Sequence, residues 1–228
     1  MKYYISNPEL DKQIAEIRVK VRLSMNGIVS EKMAQNGINY KKNYGVSIPR
    51  IREIAKLYPQ NHDLAQRLWN LQTRETMILA TLLEPIDKFT FQHAQEWVDS
   101  FNQIEIVEQA CMNLFSKLPY ATNLCTNWIH QDKKWRQITG FILAARVYEK
   151  LDQDEINDII KVALTVSENA EFHLYKAIAL CLSRFCRVNK NIAQYILNEI
   201  KAFKQTPTAG QKLILDEVTQ EILFLNIL

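Results

Sequence analysis

Glycine and proline are scarce, five and six in 228 residues. So few turn formers exclude a turn-rich all-β fold, and a hydrophobic share of 47% excludes a disordered chain. Long apolar runs are also missing. The longest, ILATLL (Ile78 to Leu83) and FILAA (Phe141 to Ala145), fall well short of the roughly 20 residues that span a bilayer. The opening MKYYISNPELDK lacks the apolar core of a signal peptide. A soluble, cytoplasmic protein with no membrane partner is the expectation. Cysteine is limited to Cys111, Cys125, Cys181 and Cys186, with no CxxC pair and each in an apolar helical context, which predicts reduced, buried thiols. His62, His93, His130 and His173 show no zinc-like spacing. The chain has no phosphate-binding glycine loop, no nucleophile elbow and no HExxH. No metal or cofactor is expected.

What is present is helical periodicity and unevenly placed positive charge. The net charge of +3 identifies no partner. Between Lys12 and Lys56, however, ten lysines or arginines face only Glu16, Glu31 and Glu53. Between His173 and Lys204, six face Glu199 alone. Basic segments of this kind follow a phosphate backbone, and solvated helix faces produce the same count.

Capping signals divide the chain into about a dozen helices. Ser6 with Glu9 reads as a capping box with Pro8 in the first turn, opening a helix to about Met25. Asn26-Gly27 breaks it, and a short helix covers roughly 28–35. Asn36 to Pro49 reads as a loop, and helical spacing resumes at Arg50. Further helices are predicted at about 63–69, 74–83, 90–101 (capped by Thr90), 104–118, 120–130 and 133–150. Asp152 with Glu155 is a second capping box, for a helix to about Val166. Helices at 170–187 and 191–204 follow, and Thr206-Pro207 starts the last. Short connections make neighbouring helices antiparallel, and pairs recur at the spacing of helical repeats. The predicted fold is all-α: HEAT-like helical repeats, an α-solenoid of stacked antiparallel pairs with a concave surface, kept as one domain over 1–228.

A surface that works on DNA needs cations for phosphates, aromatic rings for bases, and, where a glycosidic bond is cut, a carboxylate. Trp69, Trp97 and Trp128 end apolar stripes and read as packing residues. Trp135 lies in KKWRQ, between Lys134 and Arg136 at a predicted helix start. It is the best local nucleic-acid signal, and a packing role fits it equally. Arg50 and Arg52 follow Pro49, where a helix N-terminus also favours phosphate. Lys176, Arg184 and Arg187 belong to the second basic segment. Glu105 and Glu108, three apart, project from one side of a helix, and a solvated face is the plainer reading.

Six landmarks, in order, carry a resemblance: NYGVSIPRIREIAK (Asn43 to Lys56), HDLAQRLWN (His62 to Asn70), TRETMILATLL (Thr73 to Leu83), WVDSF (Trp97 to Phe101), EQACMNLF (Glu108 to Phe115) and KAIALCL (Lys176 to Leu182). Together they resemble the DNA alkylation repair proteins built from HEAT-like repeats, over nearly the whole chain. The resemblance implies duplex DNA as partner. In active members it implies hydrolysis of the N-glycosidic bond of 3- or 7-alkylated purines by a cleft with two tryptophans, an aspartate and an arginine. Here the W-D-x-x-D pattern falls on Ile104-Glu105-Ile106-Val107-Glu108, the arginine on Ile138 and the second tryptophan on Leu180. Glu108 keeps the charge on an arm longer by one methylene, and an offset of about 1 Å costs about a hundredfold in rate. The missing arginine and indoles remove a charge-assisted contact and the cation–π surfaces.

Three functions follow from these residues. One is a divergent relative that binds duplex DNA with weak or no base excision. The second is an active alkylpurine glycosylase using Glu108. The third is a non-enzymatic scaffold that takes a protein partner where Ile104, Ile138 and Leu180 make an apolar patch. Whether the chain is an enzyme stays open at this level.

Overall fold

A computed structural model describes residues 5–168, 171–204 and 207–226. It is all-α, with thirteen α-helices and no strand among the described residues. The helices divide into two compact units, one formed by 1–97 with 101–117, the other by 98–100 with 118–228.

The first unit begins with α1 (Pro8–Leu23) and α2 (Gly27–Gln35). The expected Ser6–Glu9 box does not form. Pro8 occupies the first turn, so the residue before it must cap, and Asn7 Oδ1 accepts from the Leu10 amide at 3.2 Å. Asn26, expected as a breaker, ends the turn after α1 by capping α2. Gly45 in the loop that follows has φ +68°, and a Cβ there would lie 2.1 Å from the Asn26 carbonyl oxygen, so only glycine fits this turn. Next come α3 (Ile48–Ala55), α4 (His62–Asn70), α5 (Arg74–Leu83), α6 (Phe91–Asp99) and α7 (Ile104–Asn113). Pro49 sits inside the first turn of α3 rather than ending the loop, so α3 starts earlier than expected. The predicted helix over 104–118 breaks at Leu114 and continues as a 3-10 turn over Phe115–Lys117.

Antiparallel pairing of α4 with α5, and packing of α5 on α7 and α3, build the first core. Trp69 and Trp97 stack face to face at 3.9 Å, and Phe89 meets Trp97 edge-on at 4.8 Å. Such pairs add about 0.5–1.5 kcal/mol each beyond the area they bury.

The second unit contains α8 (Ala121–Ile129), α9 (Lys134–Val147), α10 (Gln153–Val166), α11 (Phe172–Phe185), α12 (Lys190–Lys201) and α13 (Ala209–Phe224). Helices α9, α11 and α13 pack side by side in one layer, with α8, α10 and α12 in the other. Asp152 and Glu155 form the predicted capping box. Helix α13 starts later than expected, at a box between Thr208 and Gln211; Thr206 lies outside the described residues. From Ile138 to Ala145 every residue of α9 is buried, as a helix apolar on all sides must be. Gly140 permits its close approach to α8, since a Cβ would meet Ile129 Cγ2 at 2.6 Å. All four cysteines are free and buried as expected, and burial pushes Cys125 and Cys186 up to about 12.

Candidate nucleic-acid interface

Helix α7 turns one side to the core through Ile106, Val107, Ala110 and Cys111. The other side carries Ile104, Glu108 and Met112, four residues apart, so they form one stripe. Glu108 is exposed, while Ile104 and Met112 are half-buried. Arg52 on α3 reaches the Met112 sulfur at 3.8 Å. Arg50 pairs with Glu53 at 2.8 Å and bonds the Ser24 hydroxyl. Glu105 does not share the role of Glu108. Its carboxylate takes Arg74 Nε at 2.7 Å and Nη2 at 2.6 Å, and the Tyr40 hydroxyl at 3.1 Å.

That pair opens a network the sequence reading missed. Arg74 also donates to the Val46 carbonyl at 2.7 Å and to Glu75, and Glu75 accepts the backbone amides of Tyr44 and Val46. Glu75 is fully buried and Arg74 is 3% exposed. Burial draws the Arg74 guanidinium toward neutrality, and the bonds and charges of Glu105 and Glu75 outweigh it and hold the group above its usual value. Burial, then Glu105, raises the Tyr40 phenol. The network ties the 36–47 loop to α5 and α7. Its only sequence signal is the adjacent Arg74-Glu75 on an apolar helix.

A second missed cluster links α4, α5 and α6. Glu84, 1% exposed, contacts His62 Nδ1 at 2.5 Å and accepts from Gln66 at 3.1 Å; the Trp97 indole N–H donates to Gln66 at 3.3 Å. Burial raises the Glu84 carboxyl to about 7 against the pull of His62.

In the second unit, the first turns of α9 and α11 bring rings and cations together. Trp135 is half-buried, with Lys134 Nζ 5.1 Å from its ring centroid and the His173 ring 6.1 Å away. Phe172, 56% exposed, meets His173 edge-on at 5.4 Å and Tyr175 at 5.5 Å. Lys134 also pairs with Glu171 at 2.9 Å. Further along α11, Lys176, Leu180, Arg184 and Arg187 follow one stripe, where Lys176 pairs with Glu217 and Arg187 with Glu221. Arg184 makes no ion pair among the described residues, and lines a cleft with Leu180, Ser183 and Phe224.

Arg136 is placed differently. Asp99 holds it at both oxygens, 2.7 and 2.6 Å, Gln131 accepts a third bond at 2.6 Å, and its side chain is 12% exposed. The Arg136 bonds draw the Asp99 carboxyl below its usual value. Ile138 is sealed in the core at 0% exposure, so it contributes to no surface, polar or apolar. Leu180 is half-buried. Ile104 and Glu108 belong to the first unit, Ile138 and Leu180 to the second.

Among the described residues no group of three or more His, Cys, Asp or Glu side chains is placed to hold a metal ion. No helix among them is long and apolar enough to cross a membrane.

The model of a family described as DNA alkylation repair enzyme matches residues 24–208. No curated protein matches the chain. Among solved structures to which the chain is similar is one at 12% identity with a TM-score of 0.77, over 90% of this chain and 94% of that one. It is described as a new family of proteins related to the HEAT-like repeat DNA glycosylases with affinity for branched DNA structures. At that identity the likeness carries the fold, helix pairs of the HEAT-like kind.

Proposed function

The chain belongs to the DNA alkylation repair enzyme family, and from that premise we propose that it binds DNA and leaves the glycosidic bond intact. The observation that carries the reading is the cluster of Lys134, Trp135, Phe172 and His173 at the first turns of α9 and α11. Phe172 offers an exposed ring face on which a base stacks, and Lys134 stands beside Trp135 where a phosphate would pass. Lys176, Arg184 and Arg187 extend positive charge along α11. The Lys176–Glu217 pair is a surface pair, worth about 0–1 kcal/mol, and a phosphate displaces such a partner readily, whereas the Arg187–Glu221 pair is half-buried.

Excision is disfavoured by what surrounds the carboxylate. Glu108 stands on a stripe with Ile104 and Met112, neither of which supplies a π face or a cation. Ile138 is enclosed, and Arg136 is held at both prongs by Asp99. A glycosylase needs stabilisation of positive charge on the sugar together with oriented water in a low-dielectric setting, and Glu108 is exposed to solvent on this stripe.

The test titrates the protein into labelled linear duplex, methylated duplex and a four-way junction at two salt concentrations, with free base followed in the same tubes. The junction is included because the similar solved protein is described with affinity for branched DNA. Salt-sensitive binding without release is the expected result. Phe172→Ala and Trp135→Ala should each weaken binding by about tenfold. Absence of binding at low salt would overturn the proposal. Release of methylated base that disappears in Glu108→Gln would replace it with the glycosylase reading.

A further inference from the structure

The first unit holds a group of cations that the interface on α9 and α11 leaves unused. Arg18, Lys42 and Tyr44 line a recess of about 150 Å³ between α1 and the 36–47 loop, together with Val21, Leu71, Thr73 and Thr76. Lys42 Nζ stands 5.1 Å from the centroid of the Tyr44 ring. Arg22 lies one helical turn beyond Arg18 on α1, so the two arginines share a face.

Like charges four apart on a helix repel unless a carboxylate intervenes. None does here. The helix positions three and four away from Arg18 are Ile14, Ala15, Val21 and Arg22 itself. Arg18, Arg22 and Lys42 form no ion pair among the described residues, whereas Arg50, Arg67, Arg74, Arg136 and Arg187 all do. The buried carboxylate of Glu75 points its oxygens at the Tyr44 and Val46 amides and at Arg74. Its oxygens are taken up there, with Arg74 shared between Glu75 and Glu105. Positive charge on one side and the start of α5, through Thr73 and Thr76, on the other make the recess electropositive. The Tyr44 phenol reports the same field. The Lys42 ammonium, with Arg22 adding to it against a smaller opposing effect of burial, draws it below its usual value.

We propose that this recess binds a terminal phosphate, the phosphomonoester at the end of a nucleic-acid strand. Two features select a monoester over an internal diester. Three cations match a group carrying about two negative charges better than one carrying a single charge. A walled recess also admits a chain end, whereas an internal phosphate needs the strand to leave on both sides. Arg18 and Arg22 supply planar forks for two phosphate oxygens, Lys42 adds a point charge, and the Tyr44 hydroxyl donates to a third oxygen. Val21 and Leu71 give the attached sugar an apolar wall. The inference rests on the DNA-binding reading for its source of phosphate, and not for the recess itself.

The experiment compares one labelled duplex bearing either a phosphate or a hydroxyl at a recessed 5′ end, with its 3′ counterpart as a second pair. It uses the full chain and the Arg18→Gln and Lys42→Gln variants. Both side chains are exposed, so the fold should survive, and urea unfolding checks that it does. The phosphorylated member of one pair should bind about tenfold more tightly. Both variants should abolish that preference while leaving the hydroxyl duplex unaffected. Equal affinity for phosphate and hydroxyl ends, or a preference that survives both variants, overturns the proposal. Should neither duplex bind, the DNA reading has failed, and calorimetry with a deoxynucleoside 5′-monophosphate judges the recess alone. Saturable heat lost in Arg18→Gln supports it, and no heat overturns it.

Discussion

Arg74 and Glu105 meet in a two-pronged ion pair, at 2.7 and 2.6 Å, between helices α5 and α7. The arginine side chain is 4% exposed and the glutamate 16%. The pair locks two helices and, through the Val46 carbonyl and Tyr40, the loop before them. Glu105→Gln keeps the shape and removes the charge. As a charged partner Arg74 would keep only Glu75, at 3.2 Å and already committed to two amides, beside the neutral Val46 carbonyl. Breaking a buried pair from one side costs about 3–5 kcal/mol, and the remaining Glu75 puts the expected loss near the lower end, about 3 kcal/mol. Urea unfolding measures it. A loss under about 0.5 kcal/mol, the range of ordinary surface changes, would show that the pair does not hold the helices.

Much of this architecture is written locally. The Asp152–Glu155 box and the Thr90 cap are each decided within one turn, and the structure has both. The opening helix misleads because two local signals compete. Pro8 forces the cap onto Asn7, and Ser6 loses its role. Relationships across the fold leave no such mark. Arg74 and Glu105 stand 31 residues apart, and Arg18 reaches the same recess as Lys42 from another element. Sequence alone places Ile138 in an apolar patch with Ile104 and Leu180, and only the enclosure of α9 on all sides explains why it reaches no surface. Arg136, singled out with Trp135 for DNA, turns instead to Asp99, far along the chain.

Acidity should stabilise the first unit through Glu84. Its carboxyl titrates at about 7 when folded, against 4.5 as a free side chain. A raised acid binds its proton more tightly in the folded state, so between pH 4.5 and about 7 the native state holds more protons than the unfolded one. Stability therefore falls as pH rises through this window, by about 3 kcal/mol from this carboxyl. The charged form is the costly one, because burial removes its solvation while only His62 and Gln66 compensate. Glu84→Gln should be more stable than the parent at pH 8 and lose most of the slope between pH 5 and 7. Unfolding midpoints across that range check it. Parallel pH profiles for the two proteins would refute the assignment.

Gly140 tests the contact between α8 and α9. An alanine raises helix propensity by about 1 kcal/mol. The new Cβ would stand 2.6 Å from Ile129 Cγ2, 3.0 Å from the Ile129 amide nitrogen and 3.2 Å from the Cys125 carbonyl oxygen. Two of those are backbone atoms and cannot swing away. Overpacking of this kind costs about 1–3 kcal/mol, so Gly140→Ala should cancel its propensity gain or exceed it, and Gly140→Val should be plainly destabilising. An alanine variant more stable than the parent in thermal unfolding would show that the helices separate at no cost.

Asp99 controls how much of Arg136 a strand can reach. The carboxylate takes both prongs of the guanidinium and also draws Lys133 to 3.6 Å, so one acid neutralises part of the basic KKWR segment. Asp99→Asn removes that charge and leaves one acceptor in place of two. The guanidinium, still tied to Gln131, becomes available to a phosphate close to Trp135. Duplex affinity should rise severalfold at low salt, and the dependence of affinity on salt should steepen by about one released ion. Arg136→Gln should change affinity little, because in the parent that arginine already has its partner. The sign on stability is opposite. The Asp99 carboxyl is held below its usual value, so its contribution is present above the unfolded pKa and is lost as pH falls through the folded one. A weaker-binding Asp99→Asn variant would mean that Asp99 positions the α9 start for DNA, and that Arg136 serves only as its anchor.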